Sequence, residues 1–199
     1  MNDTTRPYAT GEFVAQHLED RASGEEIPEE RIQPNGVDLT ISEVYRTQGE
    51  AAFYGNGDYD KPRRIKMQPR DPPGNTRSPY YKLVRGQYPI VYGEKIQIPE
   101  GYVGRVYPRS RLMRSGLHLT SALWDQGYEG VGEGLLRVPI SVERVHIDVT
   151  VPIAQMVFIE AAEADAYDGT HQRERVETST EQSVTQTQEQ SVEVSLGDD

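Results

Sequence analysis

Three arginines fall within six residues, Arg109, Arg111 and Arg114, in the run Pro108-Arg-Ser-Arg-Leu-Met-Arg-Ser-Gly-Leu117. A guanidinium presents a planar fork of donors that matches phosphate oxygens, and Ser110 adds a hydroxyl and a backbone N–H beside them. The cluster suits a triphosphate, which carries several negative charges. An exposed basic turn making surface ion pairs has the same composition. Asp125 follows the apolar run Ala122, Leu123, Trp124 and precedes Gly127. A carboxylate at a hairpin mouth can take a proton from water if held near its target. The same aspartate can instead serve the turn through backbone hydrogen bonds. Gln155, in Pro152-Ile-Ala-Gln-Met156, offers an amide either to phosphate or to the backbone of a strand.

Several other chemistries are excluded. The 199 residues contain no cysteine, which removes disulfides, thiol catalysis, Cys-ligated zinc and the zinc deaminase signature. There is no Walker loop and no GxSxG elbow, and Gly130, Gly132 and Gly134 do not form a dinucleotide fingerprint. His17, His118, His146 and His171 lack metal-ligand spacing. No stretch approaches the ~20 apolar residues of a membrane span. The start, MNDTTRPYATGEF, has no apolar run to act as a secretory signal. The expectation is a cytoplasmic protein with no membrane partner. A net charge of −11 argues against direct nucleic-acid binding. Four Lys against 17 Arg, on an acid-rich chain, is what a salt-adapted (halophilic) protein would show.

The elements that must position these residues read as mainly β. Val37, Leu39 and Ile41 alternate, as do Val145, Ile147, Val149 and Val151; shorter alternations surround Gln97 and His118. Short alternating runs punctuated by Gly and Pro predict a mainly antiparallel sandwich or barrel. Phe13, Val14, His17 and Leu18 form one helical stripe over residues 11–20, with Thr10 as N-cap. Pro and Gly mark residues 50–79 as a long irregular insertion. Residues 176–199 carry six acids, no Lys or Arg, and a repeated EQSV. They have too few aliphatic residues to offset ordering entropy, so they read as a disordered, acidic, low-complexity tail behind a domain spanning 1–175.

Four segments in order, Gln33-Pro-Asn-Gly-Val-Asp-Leu39, Pro108–Leu117, Leu123-Trp-Asp-Gln-Gly-Tyr-Glu-Gly130 and Pro152–Met156, resemble the motifs of the dUTPase and dCTP deaminase superfamily. The resemblance runs from about residue 8 to residue 173 and is nearest the archaeal-type dUTPases of the dCTP-deaminase-like branch. It implies a distorted antiparallel β-barrel and a homotrimer whose subunits share each active site. It also implies that Asp125 deprotonates the attacking water, and that Arg109, Ser110 and Arg114 bind phosphate. Arg111 stands where a small residue is common. Tyr128 would pack on the deoxyribose and exclude a 2′-hydroxyl. Gln155 would touch phosphate. Asp38 would support the site and hold waters around Mg²⁺. Backbone groups around Leu117–Asp125 would read the pyrimidine edge. Residues 165–175 look like the branch's lid, closing Tyr167 and Gln172 over the nucleotide. Mg²⁺ binds chiefly through water and substrate phosphates, so no direct protein ligand is expected.

Both hydrolysis and deamination occur on this scaffold. Zinc-independent dCTP deaminases place a catalytic Glu ten residues beyond the motif aspartate, which here is Leu135. Glu133 is two residues short, roughly 6.5 Å along a strand, too far for a proton relay in the same place. The favoured reading is dUTP diphosphatase, converting dUTP to dUMP and pyrophosphate, limiting uracil in DNA and supplying dUMP. The alternatives are a dCTP deaminase, a bifunctional deaminase and dUTPase, or a non-catalytic nucleotide-binding regulatory homologue.

Overall fold

The computed structural model describes residues 7–72, 78–162, 165–169, 171–173, 175 and 176. The chain begins with α1 (Gly11–Ala15), β1 (Leu18–Asp20), β2 (Glu25–Glu26), β3 (Ile32–Gln33), β4 (Gly36–Leu39) and β5 (Ile41–Gln48). It continues through β6 (Ala52–Phe53), β7 (Tyr59–Asp60), β8 (Arg63–Lys66), β9 (Tyr80–Val84), β10 (Gly86–Tyr92) and β11 (Glu94–Gln97). Then come β12 (Tyr102–Pro108), α2 (Ser110–Arg114), β13 (His118–Thr120), β14 (Glu129–Gly130), β15 (Glu133–Val138), β16 (Arg144–Asp148) and β17 (Ala154–Glu160).

The strands pair antiparallel into three larger sheets, ordered β14-β11-β1-β2, β13-β15-β10-β5-β8 and β12-β17-β4-β3, with β16-β9 and β6-β7 as two-stranded ribbons. The mainly β, antiparallel class is as the alternation predicts. Among the described residues the pairing forms separate sheets, with no continuous ring closing a barrel. Tyr92, Phe158, Leu39, Ile90, Ile96, Leu136 and Met156 are fully buried between them. Burial of apolar side chains contributes ~1.5–3 kcal/mol each and is what holds such sheets together.

Three local expectations change. The predicted helix over 11–20 is shorter: Thr10 caps it, its Oγ1 accepting from the Phe13 N–H at 3.3 Å, but α1 stops at Ala15. Leu18–Asp20 instead pair as β1 with Ile96, Lys95 and Glu94 of β11, a tertiary pairing that outweighs helical periodicity. Val14 and Leu18 are still buried, and the Phe13 and His17 rings meet at 5.0 Å. The alternation at Val145–Val151 is strand only as far as Asp148. There the Asp148 carboxylate accepts from the Thr150 N–H at 2.9 Å and turns the chain. Residues 50–79 are also more regular than expected. Gly57, at φ +92°, turns the β6–β7 hairpin, and β8 adds to the sheet edge by pairing with β5 from Tyr45↔Lys66 to Gln48↔Arg63. The predicted tail lies, beyond Val176, outside the described residues.

One buried polar network ties two sheets together. The Arg31 guanidinium donates twice to the Asp38 carbonyl, at 3.1 and 2.9 Å, and to Asp20 at 2.9 Å. It also pairs with Glu94, which is fully buried and accepts from the Thr40 N–H at 3.1 Å and hydroxyl at 2.8 Å. Burial pushes the Glu94 carboxyl up, and Arg31 and Thr40 oppose that push.

Candidate active site

The phosphate-type residues gather at the end of β12. Cross-strand register sets Gln155 of β17 between Tyr107 of β12 and Asp38 of β4. The chain leaves β12 at Arg109, whose N–H donates to the Ile153 carbonyl at 2.9 Å, and enters α2, anchored by buried Leu112. The Arg109 guanidinium pairs with the Asp38 carboxylate. Asp38 is 1% exposed and also accepts from Gln33 Nε2 at 3.0 Å, while its Oδ1 has no hydrogen-bond partner. Gly36 permits this packing: a Cβ there would lie 2.2 Å from the Met156 carbonyl oxygen. Ser110, Arg111 and Arg114 are exposed on α2. Burial, and then the neighbouring charge of Arg111, lower the Arg109 pKa.

A second group forms around residues 122–133. A cleft of about 290 Å³ is lined by Trp124, Asp125, Tyr128, Glu133, Tyr167 and His171, among others. Trp124 is seated by paired backbone bonds to Gly104, at 2.8 and 3.1 Å. Its ring fills the space a side chain at Gly132 would take, since a Cβ there would lie 2.0 Å from Cη2. Gly127, at φ +78°, makes the turn that follows Asp125, and Gln126 is buried with its Oε1 accepting from the Gly101 N–H at 3.0 Å. Asp125 is left exposed at the cleft mouth. Tyr128 is buried, its ring edge-on to Trp124 at 5.0 Å and 6.0 Å from Tyr167.

Residues 165–169, 171–173, 175 and 176 dock on this hairpin. The Tyr167 N–H donates to the Gln126 carbonyl at 2.8 Å, placing its ring at the cleft. The Gln172 amide is spent on backbone, donating to Gly127 at 2.8 Å and accepting from the Glu129 N–H at 3.0 Å. Gln172 thus fastens its own segment to the hairpin, whereas the motif resemblance sends it to the nucleotide. Arg175 donates to the Val131 carbonyl at 3.0 Å and pairs with Glu133.

The chain does not bring its two groups together. The isolated bridge at Gly104 fixes Trp124 beside the middle of β12. Arg109 lies five residues further along, about 16 Å away at ~3.3 Å per residue. Arg109, Asp38 and Gln155 therefore cluster, Asp125, Tyr128 and Tyr167 cluster, and Arg109, Ser110, Arg111 and Arg114 do not line the Asp125 cleft. Among the described residues, no three of His, Cys, Asp and Glu converge to hold a metal ion. Motif reading missed Arg64, Arg175 and Gln33 as partners of site residues. Arg64 reaches Glu133 from a sequence position with no motif around it, and Arg175 from the end of the lid segment, where the resemblance assigns it no role.

A family model described as dCTP deaminase-like matches residues 8–161, and the chain belongs to that family. Among its relatives is a probable deoxyuridine 5′-triphosphate nucleotidohydrolase of Halobacterium salinarum, 38% identical over 177 residues, covering 86% of this chain and 97% of the relative. A deoxyuridine 5′-triphosphate nucleotidohydrolase of Methanocaldococcus jannaschii is 34% identical over 147 residues, covering 72% of this chain and 88% of that protein. The fold also matches a crystal structure of 2′-deoxycytidine 5′-triphosphate deaminase from Agrobacterium tumefaciens. There the TM-score is 0.53 with 14% identity, over 75% of this chain and 45% of that one.

Proposed function

We propose that this chain is a dUTP nucleotidohydrolase, converting dUTP and water to dUMP and pyrophosphate. The observation that carries the reading is one cleft in which exposed Asp125 stands over buried Tyr128. The names and coverage of the archaeal relatives support it. Asp125 accepts a proton from a water as that water attacks the α-phosphorus in line. The bond to the bridging oxygen breaks and pyrophosphate leaves. Arg109, Ser110 and Arg114 bind the phosphate oxygens and offset the developing charge. Gln155, directly across from Asp38 on the neighbouring strand, supports the same oxygens. Tyr128 packs on deoxyribose and excludes a 2′-hydroxyl.

Mg²⁺ belongs to the proposal as the neutraliser of triphosphate charge. Among the described residues no carboxylates converge on the site, which fits an ion carried in by phosphates and water better than one caged by protein. The separation of Arg109 from Asp125 along β12 supports a homotrimer in which one subunit's arginines serve its neighbour's cleft. A cytoplasmic setting, where nucleotide pools lie, is part of the same reading; among the described residues no helix is long and apolar enough to cross a membrane.

Deamination draws support from Glu133, which lines the cleft while Leu135 does not. Glu133 is committed to ion pairs with both Arg64 and Arg175 through one oxygen, however, so it is held away from a proton-relay role at the base. The test incubates the protein with dUTP and dCTP separately in Mg²⁺ and high salt. Pyrophosphate and dUMP from dUTP, with no ammonia from dCTP, is the expected outcome. Ammonia would establish deamination, and no product from either would leave the nucleotide-binding homologue.

A further inference from the structure

Glu133 opens β15 in the wall of the cleft that Asp125 and Tyr128 line. The same wall carries Tyr167 and His171, which come from the C-terminal segment. That segment is held to the hairpin at successive points. The Tyr167 N–H meets the Gln126 carbonyl, the Gln172 amide bridges Gly127 and Glu129, and the Arg173 N–H donates to the Glu129 carbonyl at 2.6 Å. Arg175 comes last, donating to the Val131 carbonyl at 3.0 Å and pairing with Glu133. The bonds to carbonyls and N–H groups of the hairpin are ones that any sequence there would supply. The Glu133 pair ends on a side chain and depends on charge.

Two further observations single out this carboxylate. Arg173 and Arg175 hold left-handed backbone, at φ +56° and +57°. That conformation is unfavourable for a residue with a Cβ and persists where its surroundings hold it. The Glu133 pair is one of the contacts that hold Arg175 there. Glu133 is itself braced, because Arg64 pairs with the same Oε1 from β8, three strands away at the edge of the sheet. A carboxylate fixed in this way offers Arg175 an acceptor whose position is already set. Neither arginine needs to touch the nucleotide for this to work.

We infer that Glu133 is a positioning residue, whose carboxylate, braced by Arg64, latches the C-terminal segment through Arg175 and so sets Tyr167 at the cleft. The inference rests on the dUTPase reading for what occupies that cleft. It adds to that reading a link from the 50–79 insertion, through one ion-paired carboxylate, to a side chain that walls the substrate. Glu133 acts through Arg175 and leaves Asp125 where it is. The latch therefore bears on how tightly nucleotide is held and not on the chemical step, and its loss appears in KM rather than in kcat. All three charged side chains are partly exposed, which limits the effect to about threefold to tenfold.

The experiment compares wild type with Glu133→Gln, which keeps the shape and removes the charge, with Arg175→Met, and with the two combined. Three things are measured: hydrogen exchange in peptides containing Tyr167 and Gln172, KM and kcat for dUTP, and calorimetric binding of α,β-imido-dUTP. Glu133→Gln is expected to speed exchange about threefold to tenfold and to raise KM and the analogue's Kd by a similar factor, with kcat held within about twofold. In the Arg175→Met background the same substitution should add less than about twofold, since the latch is already open. Arg64→Met, outside the Asp125 cleft, should act in the same direction and more weakly, so the test does not hang on one variant. Arg63→Met, an exposed neighbour on β8, should alter neither exchange nor KM and controls for damage to the strand. Unchanged exchange in Glu133→Gln, a fall in kcat without a change in KM, or losses that multiply in the double variant would overturn the inference. If the wild type releases no pyrophosphate from dUTP, the hydrolase reading fails while the exchange rates still judge the latch.

Discussion

Asp125 is exposed at its cleft, so its replacement disturbs little packing. Asp125→Asn keeps the shape and removes the base; turnover should fall ~10²–10⁴-fold with thermal stability unchanged. Steady-state pyrophosphate release alongside a melting curve checks both halves, and a near-normal rate would take Asp125 out of the mechanism. Arg109 differs because it also neutralises the carboxylate of Asp38, itself almost wholly buried. Arg109→Ala should weaken triphosphate binding and destabilise the fold together, whereas exposed Arg114→Ala should weaken binding alone. Calorimetry with the imido analogue, set beside denaturant unfolding, separates the two effects. That Asp125 and Tyr128 share a cleft was legible because both sit in one local motif of type and spacing. The pairings of Asp38 with Arg109 and of Glu133 with Arg64 were not, because they join segments distant in the sequence whose register no local pattern sets.

Elements carry the site through a few close approaches. Gly132 leaves room for the Trp124 ring, and Gly132→Ala should drive that ring off its seat. The expected cost is about 1–3 kcal/mol by denaturant titration, with a matching rise in KM. The alternating runs made the β class readable, since a period of two survives any arrangement of sheets. The length of α1 was not readable, because Leu18 satisfies a helical stripe and a strand pairing equally well until β11 is beside it. The 50–79 insertion shows the same limit. Its Gly and Pro residues correctly mark turns, but only the β5 edge decides that residues between them pair as β8. The lid residue Gln172 matched the family pattern, yet the backbone of the hairpin claims its amide.

At the scale of the molecule, Arg31 and Glu94 join the sheet of β11 to that of β4. Arg31→Met would leave Glu94 buried and unpaired, at a cost of about 3–5 kcal/mol. With Arg31 gone the folded-state pKa of Glu94 lies still further above its unfolded value. Stability of the variant should then fall as pH rises from the ordinary glutamate value through the raised one, so the deficit is smallest in acid. Chemical unfolding at several pH values reads this out. Assembly has its own test. If each site joins one subunit's Asp125 to another's Arg114, co-refolding Asp125→Asn with Arg114→Ala should restore activity at about a quarter of the sites. No recovery would place both residues of a site on one subunit.

The chain has a single tryptophan, and it is Trp124. Its indole N–H donates to Ser121 at 2.8 Å and its ring meets Tyr128 in the wall of the Asp125 cleft, the proposed nucleotide site. Every photon of indole emission therefore originates at the place where the sugar and base would rest. The protein carries an optical gauge of its own occupancy, without a dye or an engineered reporter. Stopped-flow emission could time nucleotide entry, lid closure and product departure as separate phases of one turnover.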